Sequence, residues 1–143
     1  KKTQNVRMHS AEHLLNAAMD ATFGCGRCFN AHIEKKKSKC DYRFDRNLTD
    51  AEIQEIEEKV NQVIKQDLKI LEEMVPLDEA RNTYDMKKVP DNAENIRIVK
   101  MGNYDYCPCI GDHVESTGAI GSFKISTTGY ENNRLRIRFK LPE

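Results

Sequence analysis

Near the C-terminus, the eight residues RLRIRFKL alternate without a break. Arg134, Arg136, Arg138 and Lys140 share one side of an extended chain, and Leu135, Ile137, Phe139 and Leu141 share the other. Because strand side chains point to opposite faces in turn, this run belongs in a sheet with one solvated and one packed face. The packed face needs a cover, and the best-marked cover is a helix. Thr49-Asp50-Ala51-Glu52 is a capping box, in which the hydroxyl and the carboxylate each satisfy a free amide at the helix start. Ile53, Ile56, Val60, Val63 and Ile64 then set an apolar stripe at helical spacing through about Gln66.

A second helix is expected from Arg7 to Phe23, where Leu14, Leu15, Ala18 and Thr22 recur at helical spacing and Gly24 can cap the end. Two period-two runs follow, with Phe29, Ala31 and Ile33 on one face and then Cys40, Tyr42 and Phe44 on another. The polar KKKSK between them suits a hairpin connection. Further strands are expected at Leu68 to Val75, ended by Pro76, at Ile96 to Val99, in SFKIS and in RLRIRFKL, the last two joined by a turn through Gly129 to Asn133. A short helix is expected around Leu77 to Tyr84, and VPDNAEN reads as loop. Helices and hairpins without regular βαβ alternation specify α+β with a largely antiparallel sheet. At 143 residues the chain is expected to be one domain, 1–143.

Lys+Arg and Asp+Glu both number 23, so any phosphate-binding surface has to be a local patch rather than a global excess of charge. No run approaches the roughly 18 apolar residues of a membrane span, and no signal-peptide segment is evident. A cytoplasmic protein is the natural expectation. There the five cysteines, at 25, 28, 40, 107 and 109, read as thiols or metal ligands rather than a disulfide framework.

The chemistry concentrates in two pairs. His9 and His13 in HSAEH stand one helical turn apart on the same side, so both imidazoles can reach one ion. Cys109 and His113 in CIGDH repeat the spacing, and Gly111 allows the tight turn of a ligand loop. Either pair alone is a weak signal, but chance produces both together only roughly 1% of the time. Three imidazoles and a thiolate are a borderline-soft set that suits Zn(II). Glu12 does not occupy the position of the base in an HExxH metalloprotease, which disfavours that class.

At these residues a resemblance appears. HSAEHLL, followed by CIGDHVESTGAIG, resembles the editing domain (second additional domain) shared by alanyl- and threonyl-tRNA synthetases and by short free-standing alanyl-tRNA editing proteins. Those proteins pair an HxxxH helix with a later CxxxH segment, usually CGGTH, and a T-G-x-I-G stretch that Thr117-Gly118-Ala119-Ile120-Gly121 matches. The resemblance extends over nearly the whole chain. It implies that His9, His13, Cys109 and His113 ligate zinc, and that the activity is hydrolysis, in trans, of the ester joining a wrong amino acid, typically serine or glycine, to tRNA(Ala). Ile110 and Asp112 depart from the usual glycine and threonine, which leaves the amino-acid specificity open.

Two modes stay open for such a site. The metal can activate a water, or it can hold the substrate's amino group while water attacks; with all four ligands bound, catalysis needs a fifth position. Glu12 and Asp112 adjoin ligands and are candidate orienting or proton-transferring carboxylates; a solvated role is the plain alternative. The cations Arg134, Arg136 and Arg138, with Lys35, Lys36 and Lys37, are candidate contacts to a tRNA backbone, against the alternative of a solvated edge strand. Cys25 and Cys28 form a CxxC that Cys40 or Cys107 can complete as a second metal site, or else they simply flank a glycine turn. His32 is expected at the surface or in a cleft. The alternative to an enzyme is a non-catalytic tRNA- or metal-binding module on the same fold.

Overall fold

The computed structural model describes residues 2–76, 78, 95–102, 104–108 and 113–142. In chain order the elements are α1 (Lys2–Phe23), β1 (Asn30–His32), β2 (Lys37–Arg43), α2 (Asp50–Gln66), β3 (Ile70–Pro76), β4 (Asn95–Met101), β5 (Asp105–Pro108), a 3-10 turn (Thr117–Ile120), β6 (Lys124–Glu131) and β7 (Arg134–Lys140). The strands form two antiparallel sheets, ordered β1-β2-β7-β6 and β3-β4-β5. The α+β class expected from the sequence holds, with two sheets where the patterning suggested one.

β7 is an interior strand, not an edge. It pairs with β2 on one side, from Lys37 opposite Lys140 to Arg43 opposite Arg134, and with β6 on the other. Asn132 and Asn133, both at positive φ (50° and 62°), make the two-residue turn that folds β6 back onto β7. Gly129 therefore stays inside β6 instead of opening the turn. The first hairpin also differs from expectation. Lys37, Ser38 and Lys39 belong to β2, because the buried Ser38 hydroxyl accepts from the Glu34 amide (3.0 Å) and donates to the Glu34 carbonyl (3.3 Å), tightening the turn. β1 is correspondingly short, and Phe29 is left exposed beneath the Arg43 guanidinium.

Of the short helix expected at 77–84 and the loop 89–95, only Asp78 and Asn95 are among the described residues. β5 and the 3-10 turn had no period to reveal them. No described helix is long and apolar enough to cross a membrane.

One core joins all the layers. Met8, Ala11, Leu14, Leu15, Ala18 and Met19 of α1 meet Cys40, Tyr42, Leu135, Ile137 and Phe139 of the four-stranded sheet, Ile56, Val60, Val63 and Ile64 of α2, and Ile70, Val99 and Met101 of the other sheet. From Ser10 to Asn16 every residue of α1 is buried, so this helix is central rather than a half-wet cover. It starts at Lys2, earlier than expected, and ends where Gly24, at φ +66°, donates to the Asp20 carbonyl (2.8 Å).

α2 has its capping box complete: the Glu52 amide donates to Thr49 Oγ1 (3.2 Å) and the Thr49 amide to Glu52 Oε1 (2.9 Å). Arg46, followed by the Thr49 amide, holds the Glu52 carboxyl down at about 2 from an ordinary 4.5. A depressed carboxyl stabilises fully above its ordinary value and loses that contribution as pH falls through the depressed one. Replacing Thr49 by alanine is expected to cost about 1 kcal/mol in urea unfolding at pH 7. Glu52→Gln is expected to flatten the dependence of stability on pH between about 4.5 and about 2.

Candidate metal centre

The HSAEH turn of α1 presents His9 and His13 from one side, and His113 arrives from the far end of the chain. Their ring centroids are 5.1 Å (His9–His13), 4.5 Å (His9–His113) and 4.6 Å (His13–His113) apart. One ring nitrogen from each lies within 4.8 Å of the others. Metal–imidazole bonds are about 2.0–2.1 Å, so three nitrogens this close need only a small contraction to share one ion. The donor set fits zinc. Cys109, the expected fourth ligand, lies outside the described residues, as do Ile110, Gly111 and Asp112.

The segment that delivers His113 is fastened to both helices. The Ser10 hydroxyl, between the two α1 histidines, accepts from the Val114 amide (3.1 Å) and donates to the Val6 carbonyl (2.9 Å). Thr117 Oγ1 donates to the Val63 carbonyl at the end of α2 (2.8 Å) and accepts from the Leu68 amide (2.8 Å). The Gly118 amide donates to Asp67 Oδ1 (2.9 Å), and a Cβ at Gly118 would run into that same carboxylate. Asp67 itself is the left-handed cap of α2, with φ 53°. Finally, Arg7 of α1 donates through Nε (3.1 Å) and a terminal nitrogen (2.7 Å) to the Ile120 carbonyl. The TGAIG stretch is thus a clasp across α1 and α2 that sets where His113 stands.

Behind His13 sits a buried ion pair absent from the sequence reading. Arg27 reaches Asp105 of β5 through both terminal nitrogens (2.9 and 3.2 Å). His13 Nδ1 lies 3.2 Å from Arg27 and 3.5 Å from Asp105 Oδ2. Burial pushes the Asp105 carboxyl up, but the His13 hydrogen bond and the Arg27 charge together hold it below its ordinary value. Ligation through Nε2 requires the proton on Nδ1, and Asp105 is the acceptor in reach, the usual arrangement behind a metal-bound histidine. Nothing in the sequence singles out Asp105, since β5 lacks a readable period and Arg27 sits within CGRC.

Glu12 is buried, which the helix pattern did not suggest. Its Oε1 is 3.6 Å from His9 Nε2, and its Oε2 accepts from the Cys28 thiol at 3.4 Å. Cys28 and Cys40 are both buried beside it, so Cys28 converges with Cys40 of β2 and not with the other half of its CxxC. Cys25 stands apart; burial, then Asp20, pushes its thiol up to about 11, leaving it protonated and unreactive at neutral pH. His32 is exposed beside Glu34, as expected.

The cationic candidates share the outer face of the four-stranded sheet. Lys37 and Lys39 of β2 stand opposite Lys140 and Arg138 of β7, and Arg43 stands opposite Arg134. Arg136 differs from the rest: Asp41 accepts from it through both oxygens (2.7 and 2.9 Å), and that bond holds the Asp41 carboxyl down. Lys35 and Lys36 are exposed at the β1–β2 turn. This face looks away from α1, so the cations and the imidazoles lie on opposite sides of the sheet.

Comparison with known proteins agrees with this arrangement. Residues 96–139 match the family described as "Threonyl and Alanyl tRNA synthetase second additional domain". The chain is 32% identical over 141 residues to an alanine–tRNA ligase of Treponema denticola, an alignment covering 93% of this chain and 22% of that protein. It is 34% identical over 125 residues to the ligase of Aeropyrum pernix (84% and 14%) and 29% identical over 138 residues to that of Idiomarina loihiensis (90% and 15%). This chain is a homologue of the second additional domain of the threonyl- and alanyl-tRNA synthetases. It spans less than a quarter of the length of these ligases.

Asp105→Asn keeps the shape of the side chain but removes the charge that orients His13. It is expected to weaken zinc binding by about 10- to 100-fold, read by competition with a chromophoric chelator. Unchanged affinity would dissociate Asp105 from the metal centre.

Proposed function

We propose that this chain is a zinc-dependent hydrolase of mischarged aminoacyl-tRNA, acting in trans on Ser- or Gly-tRNA(Ala) in the cytoplasm. The observation that carries the reading is the convergence of His9, His13 and His113 within one ion's reach, in a homologue of the synthetase second additional domain. His9, His13 and His113, with Cys109 as the fourth ligand, would hold the ion. Bound there, zinc supplies Lewis acidity, toward water or toward the substrate's amino group.

The protein's own groups do the rest. Asp105, neutralised by Arg27, keeps the His13 proton on Nδ1. Ser10 and the Thr117–Ile120 turn fix the approach of His113. Glu12 orients His9 through its Oε1, and Asp112, next to His113 in sequence, is the second carboxylate available to take or return a proton. Ile110 and Asp112, at positions where the family carries small or hydroxylated residues, bear on which amino acid is accepted.

Full substrate recognition also needs phosphate contacts. On the outer sheet face, Arg134, Arg138, Lys37 and Lys39 are the cations we assign to the tRNA backbone, with Lys35 and Lys36 at its rim. Arg136 belongs to the same stripe, but Asp41 occupies its guanidinium, so its contribution is smaller. A sheet is roughly 10 Å through with its side chains. A ligand touching both this face and the imidazoles has to pass around the sheet, which suits an extended nucleic acid better than a free amino acid ester.

The decisive experiment is deacylation of Ser-, Gly- and Ala-tRNA(Ala) and Ser-tRNA(Thr), with and without a chelator. Chelator-sensitive release of one noncognate amino acid is expected, and His9→Ala or Cys109→Ala should abolish it while circular dichroism stays native. Full activity in either variant would refute the mechanism. Tight tRNA binding with no turnover on any substrate would favour a non-catalytic binding module.

Arg138→Gln is expected to weaken tRNA binding across sequences and to lower the slope of log affinity against log salt by about one. An unchanged slope would remove Arg138 from the phosphate-contacting set.

A further inference from the structure

Beside the imidazole cluster, and meeting it at the Glu12 carboxylate, lies a second convergence of ligand-bearing groups. Glu12 comes from α1, Cys28 from the loop before β1, and Cys40 from β2. Their carboxylate and sulfur atoms all lie within 4.8 Å of one another, and all three residues are buried, with relative exposures of 5%, 3% and 0%.

The three are held by different means, so their meeting is not a local accident of one turn. The Cys28 backbone amide donates to Asn16 Oδ1 (3.2 Å), which pins that loop to α1 one turn beyond Glu12. Asn16 Oδ1 also accepts from the Tyr42 hydroxyl (2.7 Å), which ties β2 to the same point. Cys40 stands two residues before Tyr42, registered between Ala31 of β1 and Ile137 of β7. One asparagine oxygen thus locks together the elements that carry all three groups.

A carboxylate buried this deeply is costly unless its charge is matched, and a thiol is a weak hydrogen-bond donor. Around a tetrahedral zinc with bonds of about 2.3 Å to sulfur and about 2.0 Å to oxygen, neighbouring ligand atoms are roughly 3.5–3.8 Å apart. The Cys28 Sγ to Glu12 Oε2 distance of 3.4 Å is close to that span.

We infer that Glu12, Cys28 and Cys40 form a second, buried binding site for a thiophilic d10 metal ion, zinc in the reduced cell. On binding, two thiol protons leave to solvent and two metal–sulfur bonds and one metal–oxygen bond form. The ligand set then carries three negative charges against two on the ion. Arg27, whose charge is felt at Glu12, offsets part of the remainder. The two sites meet at Glu12, whose Oε1 faces His9 while its Oε2 faces Cys28. The second uses no imidazole and does not depend on the hydrolase reading.

The test uses cadmium(II) added to the reduced chain, with the thiolate-to-cadmium charge-transfer absorbance as readout. A Cys109→Ser background removes the thiolate assigned to the first site. In that background one equivalent of cadmium is expected to raise the band. Adding Cys28→Ser or Cys40→Ser should eliminate it, while Cys25→Ser, Cys107→Ser and His9→Ala leave it intact. No band in the Cys109→Ser protein, or a band that survives both Cys28→Ser and Cys40→Ser, would overturn the site. Should the serine variants fail to fold, cadmium NMR of the unsubstituted chain decides: a resonance of two-thiolate character supports the site and its absence refutes it. Loss of deacylation with this resonance retained would count against the hydrolase reading alone.

Discussion

The burial of α1 is the constraint on which the rest of the structure depends. From Ser10 to Asn16 the helix has no solvent-facing side, yet four of those seven residues are polar. Each needs a partner, because a buried polar group stripped of one costs about 1–3 kcal/mol. Each finds it outside α1, in segments distant along the chain. Ser10 takes the Val114 amide, His13 the Asp105–Arg27 pair, Asn16 the Cys28 amide and the Tyr42 hydroxyl, and Glu12 the Cys28 thiol. The apolar residues of α1 build the core, while its polar residues select the register in which everything else docks.

The homology gains physical content from this. The T-G-x-I-G stretch bonds to both helices. It matters because Thr117 and Gly118 hook onto the end of α2 while the Ile120 carbonyl receives Arg7 of α1. Gly118 is small because the Asp67 carboxylate occupies the space a side chain would need. The motif acts here as a spacer of fixed length between His113 and the helices.

Much of this was legible in the residues. The α2 capping box, the alternation of β7 and the spacing of His9 and His13 each follow from a short period or a local motif, and each appears where the sequence puts it. What escaped was long-range. Asp105 and Arg27 lie 78 positions apart and have no pattern of their own, so only the fold pairs them. Glu12 looks like a solvated helix carboxylate until α1 proves to be buried on that side too. The edge alternative for β7 fails for a related reason: alternation gives the faces of a strand but not its neighbours, and β2 pairs along the side that the expected hairpin with β6 leaves open. Cys28 likewise belongs with Cys40 and not with Cys25, because the β1–β2 pairing, not sequence proximity, decides which thiols meet.

The clasp that carries His113 has a temporal side. During synthesis His9 and His13 emerge roughly 100 residues ahead of their third partner, an interval of about 5–20 s at ordinary elongation rates. Over that time the N-terminal helix has neither the Val114 amide for Ser10 nor the Ile120 carbonyl for Arg7. The imidazole cluster therefore cannot close until residues 113–120 have been made, long after its first two members have emerged.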